Sequence, residues 1–287
     1  CSRRLTSSLG IDVFNAIVYI SKDKGGKAKM NHYDDEENVI DYLQFTPLSR
    51  ICFIKPRAET FKFFLSLKSE RKFKNWINSS GKDALPPDFY SKKYKFMLEV
   101  MRTDDYQEGY NSPNALESKR VKEVEDMLRA NGTQSLKEAN IKLLIIPDMS
   151  KASENGYGLY VENFKRIVEK HIKKIDNYRK NHPEYKLGFL IFDEAPAYFK
   201  PLDKGIKPKA GEAVRGWPHL YFRDKNLVDS FCNVDVDFII WITPFKDLPG
   251  NIHFLPKICV FDMKRIKAWK RYLIDYKKDD LICMEVE

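Results

Sequence analysis

The stretch "LPPDFYSKKYKFMLEVMRTDD", residues 85–105, decides how this chain is read. Its first half is turn chemistry: Pro86 and Pro87 stiffen the backbone, and Asp88 is a residue type that bonds to its own turn. Its second half, Tyr94 to Thr103, alternates along an apolar run and reads as a strand. The alternation puts Tyr94, Phe96, Leu98, Val100 and Arg102 on one face, and Lys95, Met97, Glu99, Met101 and Thr103 on the other. Glu99 is therefore an acid within an apolar run. A buried carboxylate without a partner is costly, so Glu99 is expected to meet a cation, a hydrogen-bond donor or water. If the prolines turn the chain back as a hairpin, Asp88 approaches the same point, and two carboxylates are hard-oxygen ligands suited to Mg²⁺ or Mn²⁺. The plainer alternative is a turn followed by a strand whose acid pairs with a neighbouring lysine, in an α/β protein without a metal site.

Working outward, Phe61, Phe64, Leu65, Phe73, Trp76 and Ile77 predict a helix from about Ala58 to Ile77, ended by "NSSG". Ser112 before Pro113 has the form of an N-cap and first-turn proline, and Leu116, Val121, Val124 and Leu128 continue it as a helix over 112–130. "IKLLIIP" (141–147), "KLGFLIFD" (186–193), "VDFIIWIT" (236–243) and "KICVFD" (257–262) read as further strands, and Phe164 to Ile175 as a long helix ending before His182-Pro183. Such alternation predicts an α/β fold, a central mixed sheet flanked by helices. We read residues 1–287 as a single α/β domain. Residues 1–50 form an N-terminal addition in which helix and strand fit equally, 55–150 a core, and 151–287 helices and strands that complete the sheet. Two stretches rich in Gly or Pro and charge, Ser21 to Asn38 and Lys200 to Pro218, read as connectors.

Fifty Lys and Arg against 41 Asp and Glu give a formal charge of +9, which favours an anionic partner. Five scattered cysteines, without a CxxC pair, and five scattered histidines give neither a disulfide framework nor zinc spacing, so a reducing cytoplasm is expected. No apolar run approaches the ~20 residues of a membrane span. Asp193-Glu194 ends an apolar strand as a second acidic position, but no GxxxxGK[ST] accompanies it, which excludes a P-loop ATPase; no GxSxG is present either. Lys55 to Lys82 and Met263 to Lys278 read as basic helices. Lys72 and Lys270 are the residues expected to touch nucleic-acid phosphates.

Pro87-Asp88, ten residues, and then "EVM" on an apolar strand resemble the PD-(D/E)XK nuclease superfamily. The likeness spans residues 55–150, which it makes a nuclease-like core of helix, acid-bearing strands, helix and strand. It implies a Mg²⁺-dependent (or Mn²⁺-dependent) enzyme acting on nucleic-acid phosphodiesters, with Asp88 and Glu99 as catalytic and metal-binding acids. An extra metal-facing acid on the preceding helix falls to Glu70 or Glu59, and we prefer Glu70. Asp104 and Asp105, at the strand's end, are further ligand candidates. The family's lysine, two residues after the Glu, is Met101 here. Members that lack it sometimes take a lysine from the next helix, which points to Lys119 and Lys122, whereas Lys95 is about 13 Å from Glu99 along the strand. A catalytically inactive relative, serving as a nucleic-acid or protein-binding module, is the alternative that Met101 allows.

Overall fold

The computed structural model describes residues 36–79, 87–103, 156–202, 216–246 and 255–283, together with the backbone of two strands, Ile17–Lys22 and Ile141–Ile146. In chain order the elements run β1 (Ile17–Lys22), α1 (Glu36–Phe45), β2 (Ile51–Ile54), α2 (Ala58–Lys68), α3 (Glu70–Phe73), β3 (Ile77–Asn78), β4 (Phe89–Ser91) and β5 (Phe96–Thr103). They continue with β6 (Ile141–Ile146), α4 (Tyr157–Ile172), α5 (Ile175–Asn181), β7 (Lys186–Asp193), β8 (Tyr198–Pro201) and β9 (Gly216–Pro218). The last are α6 (Lys225–Val228), β10 (Phe238–Ile242), β11 (Ile258–Asp262), α7 (Ile266–Trp269) and β12 (Ile282–Cys283). The chain falls into two compact units, one made of residues 1–38 and 108–149 and the other of 39–107 and 150–287. In the first, β1 pairs antiparallel with β6, Ile17 opposite Ile146.

The second unit is built on a seven-stranded mixed sheet of order β2-β11-β10-β7-β5-β4-β3. Its central strands β10, β7 and β5 are mutually parallel, and their burial on both faces is why they read as unbroken apolar runs. One face meets α4, whose Tyr160 and Phe164 pack in a core with Met97, Met101, Phe189, Ile191 and Trp241. The other face lies under α2. There Phe63 stacks on Phe238 at 4.6 Å and meets Phe96 edge-on at 5.2 Å, directly over Gly188, where an added Cβ would lie 2.2 Å from the ring. Strands β12, β8 and β9 form a separate three-stranded sheet.

Three expectations are corrected in detail. The helix predicted over 58–77 stops at Lys68, because Ser69 is extended and the Lys68 ammonium turns to the carbonyls of Leu43, Gln44 and Thr46 at the end of α1; the chain resumes as α3 and then β3. The long helix through Ile175 is interrupted at Lys173-Lys174 and forms α4 and α5. The basic segment Met263 to Lys278 is a 3-10 turn, the four-residue α7 and a second 3-10 turn, since Asp262 caps the first turn through the Lys264 amide and Ile274 is drawn into a bridge with Asp224. Strand 141–146 pairs with β1, while the neighbours of β5 are β4 and β7. The helix predicted over 112–130 lies outside the described residues.

Candidate functional site

The hairpin that carries the opening stretch turns at residues 92–95, after β4, rather than at Pro86-Pro87, and Asp88 stands one residue before its first strand. Phe89 pairs with Leu98 and Tyr90 with Met97, so Asp88, one step before β4, stands opposite Glu99. Directly opposed residues of an antiparallel pair share a face, with Cβ atoms about 4.5–5.5 Å apart. Asp88 Oδ2 accepts the Val100 amide at 2.7 Å, capping β5 just past the last β4 pair.

Glu99 faces the α4–α5 junction. Its Oε1 lies 2.8 Å from His171 Nδ1 and 3.8 Å from Lys174 Nζ, and it accepts the Tyr178 hydroxyl at 2.6 Å. Among the described residues all three contacts fall on Oε1. Burial, then the Glu99 and Asp88 charges, push the Tyr178 hydroxyl far above its ordinary value, so it remains a donor. The Glu99 side chain is 4% exposed and that of Lys174 39%, so the cluster reaches solvent through Lys174. Glu99 thus has the donors and the cation that an acid in an apolar strand requires. The arrangement sets one buried carboxylate against an ammonium at the rim, with Asp88 one register step beyond the last β4–β5 pair.

The other expected residues lie elsewhere. Glu70 is exposed on α3, and among the described residues it forms no ion pair; Glu59 pairs with Arg57 and Lys186 on the α2 side of the sheet. Lys72 is exposed on α3, near Phe73, which packs on Phe89 of β4. Lys270 is exposed beside Tyr272, which lies under Lys55 just after β2, so the two lysines flank opposite edges of the sheet. Lys119, Lys122, Asp104 and Asp105 lie outside the described residues. His171, Lys174 and Tyr178 were not singled out from sequence as site residues; they gather where α4 gives way to α5.

Asp193 occupies a second polar cluster on the α4 face, where β7 ends. It accepts Tyr160 at 2.6 Å, Trp241 Nε1 at 3.0 Å and the Ala195 amide at 3.1 Å, and it pairs with the buried Lys246 at 3.3 Å. Lys246 also donates to the carbonyls of Ala195 and Pro196 and sits 4.6 Å above the Tyr160 ring. Glu194 turns outward to a two-pronged pair with Arg102 at 3.0 and 2.6 Å. Nearby, buried His219 meets Asp224 at 2.7 Å through Nε2, and Tyr157 donates to the same carboxylate oxygen at 2.6 Å. This density of internal partners marks Asp193 as a structural anchor rather than an open acidic site.

Among the described residues no three or more His, Cys, Asp or Glu side chains converge as a metal site, and no helix is long and apolar enough to cross a membrane. No protein-family model, curated protein or solved structure matches the chain.

Proposed function

We propose that this protein is a metal-dependent, nuclease-like enzyme acting on nucleic-acid phosphodiesters, with Asp88 and Glu99 as its acids and Lys174 as the cation in place of the lysine missing at Met101. The observation that supports it is the opposed register of Asp88 and Glu99 with Lys174 Nζ 3.8 Å from the Glu99 carboxylate. The donor set suits Mg²⁺ or Mn²⁺: such ions keep several waters and take one or two carboxylates, so the absence of a third acid among the described residues is no obstacle. When bound, the ion supplies charge stabilisation at a phosphoryl oxygen and an acidified water. Tyr178 and His171 hold Glu99 through Oε1, which fixes the carboxylate that, with Asp88, would hold the ion. Lys174, at the exposed rim, would offset the negative charge that grows on an attacked phosphate. Met101, buried in the core, does neither.

A second reading, a catalytically inactive relative that binds nucleic acid or protein, is favoured by one observation: Oε1 of Glu99 already meets three protein groups. One set of assays separates the two. Mn²⁺ or Mg²⁺ is expected to raise the melting temperature, because a ligand of the folded state alone stabilises it, and Asp88→Asn is expected to abolish the rise. Cleavage of DNA or RNA is expected to vanish in Glu99→Gln and to fall at least ~100-fold in Lys174→Met, the scale for losing one charged stabiliser. If Lys119→Met or Lys122→Met has that effect instead, the cation comes from the earlier segment. Binding without cleavage by the unaltered protein, with both metals and both nucleic acids, would establish the second reading.

A further inference from the structure

Cys52 on β2 and Cys259 on β11 stand directly opposite each other in the parallel pairing of these strands. Neighbouring strands run about 4.7–4.9 Å apart, inside the Cα separation a disulfide tolerates. Both thiols lie on the α4 face of the sheet, Cys259 within the core and Cys52 packed against it. Cys259 Sγ lies 3.3 Å from the Tyr221 hydroxyl, which is 2.9 Å from the Pro256 carbonyl.

The two thiols are not equivalent. Cys259 is fully buried, whereas Cys52 is partly exposed on β2, the strand that ends the sheet. The neighbouring Cys259 thiol brings the Cys52 thiol down to about 7, against the opposing effect of burial, so near neutral pH much of it is thiolate. Burial, and then the Cys52 contact, push Cys259 well up. Elsewhere burial pushes Cys232 up to about 11. The pair thus joins a reachable, ionised thiol to a sheltered, protonated one a strand spacing away.

We propose that Cys52 and Cys259 form an oxidation site for hydroperoxides, Cys52 being the attacking thiol and Cys259 the resolving one. The Cys52 thiolate attacks one peroxide oxygen: an S–O bond forms, the O–O bond breaks, and the departing hydroxide (or alkoxide) takes up the proton that Cys52 released, leaving a sulfenic acid. Cys259 sulfur then attacks Cys52 sulfur: the S–S bond forms, the S–O bond breaks, and hydroxide leaves with the Cys259 proton as water. Two thiols lose two electrons in all, and with hydrogen peroxide two waters form. Side chains opposed on neighbouring strands project in parallel rather than toward each other, so the bridge is strained and easily reduced, as a reversible modification requires.

The test treats the whole chain at pH 7 with hydrogen peroxide, alkylates the remaining thiols and maps peptides without reduction. The unaltered protein is expected to give a Cys52–Cys259-linked peptide that dithiothreitol releases, with Cys232 and Cys283 alkylated. In Cys259→Ser the sulfenic acid is expected to persist and be trapped on Cys52 by dimedone, and in Cys52→Ser Cys259 is expected to stay reduced. Iodoacetamide labelling of Cys52 is expected to reach half its maximal rate near pH 7. Either of two results in the unaltered protein would overturn the proposal, whatever the variants do: dimedone on Cys52 with no linked peptide, or Cys52 left reduced while Cys283 is oxidised.

Discussion

Gly188→Ala tests the packing that holds the central strand in place. Position 188 lies beneath the Phe63 ring, and a Cβ there would sit 2.2 Å from Cζ and 2.9 and 3.0 Å from the two Cε atoms. Carbon atoms rest about 3.5–4.0 Å apart, so the ring would have to retreat by more than ~1 Å. Phe63 has no exposed surface, and Phe238, Phe96 and Trp76 surround it at ring separations of 4.6, 5.2 and 6.3 Å. Overpacking of this kind costs about 1–3 kcal/mol, and so tight a contact belongs at the top of that range. Replacing a strand glycine returns roughly 0.5–1 kcal/mol. The net loss is about 2 kcal/mol, or roughly 4–8 °C in melting temperature for a unit of this size. Thermal and urea unfolding followed by circular dichroism measure it. Phe63→Leu, which removes the ring edge at some cost of its own, is expected to relieve the clash, making the double variant more stable than the summed single effects by about 1–2 kcal/mol. Additivity within ~0.5 kcal/mol, or a Gly188→Ala protein as stable as the parent, would refute the reasoning.

Lys246→Met leaves Asp193 charged and buried with only neutral donors, and is expected to cost about 3–5 kcal/mol in the same unfolding assays, much of it recovered by adding Asp193→Asn. Burial holds the His219 imidazole below its ordinary 6.5, although Asp224 at 2.7 Å opposes this; the buried Nδ1, which has no hydrogen-bond partner, favours the neutral ring because a proton there would be an unmet donor. A lowered folded value means that the unfolded chain takes up the proton first as pH falls. Stability present above about pH 6.5 is therefore lost below it, by at most about 1.4 kcal/mol per pH unit for this group, and His219→Asn is expected to flatten that limb in urea titrations between about pH 5 and 6.5.

Strands buried on both faces were legible because nothing but an unbroken apolar run can fill them: "KLGFLIFD" is β7 residue for residue, and "KICVFD" contains β11. The alternation through Glu99 was legible too, but the turn was not: the chain reverses at residues 92–95, where Lys95 takes a φ of 55°, and Pro87-Asp88 stand before β4. The helix break at Ser69 was not legible either, because the apolar spacing continues through Phe73 and Trp76 while a tertiary contact of Lys68 with α1 ends the helix. The partners of Glu99 come from more than seventy residues away, and His171 lies within the stretch read only as a long helix. The short strands of the β12-β8-β9 sheet carry too few residues to show a period. The Cys52–Cys259 pair depends on the register of two strands far apart in sequence, which no local pattern encodes.

Helix α4 touches both polar clusters of the sheet's α4 face. Tyr160 bonds Asp193 at 2.6 Å, and His171, eleven residues later and about 16 Å along the axis, meets Glu99 at 2.8 Å. A rigid rod pinned at two points acts as a gear. Sliding it by ~1 Å disturbs both contacts together. Whatever draws His171 away from Glu99 therefore also loads the Tyr160 bond to Asp193, and the anchor at the end of β7 sets the tolerance with which the acids of the hairpin are held.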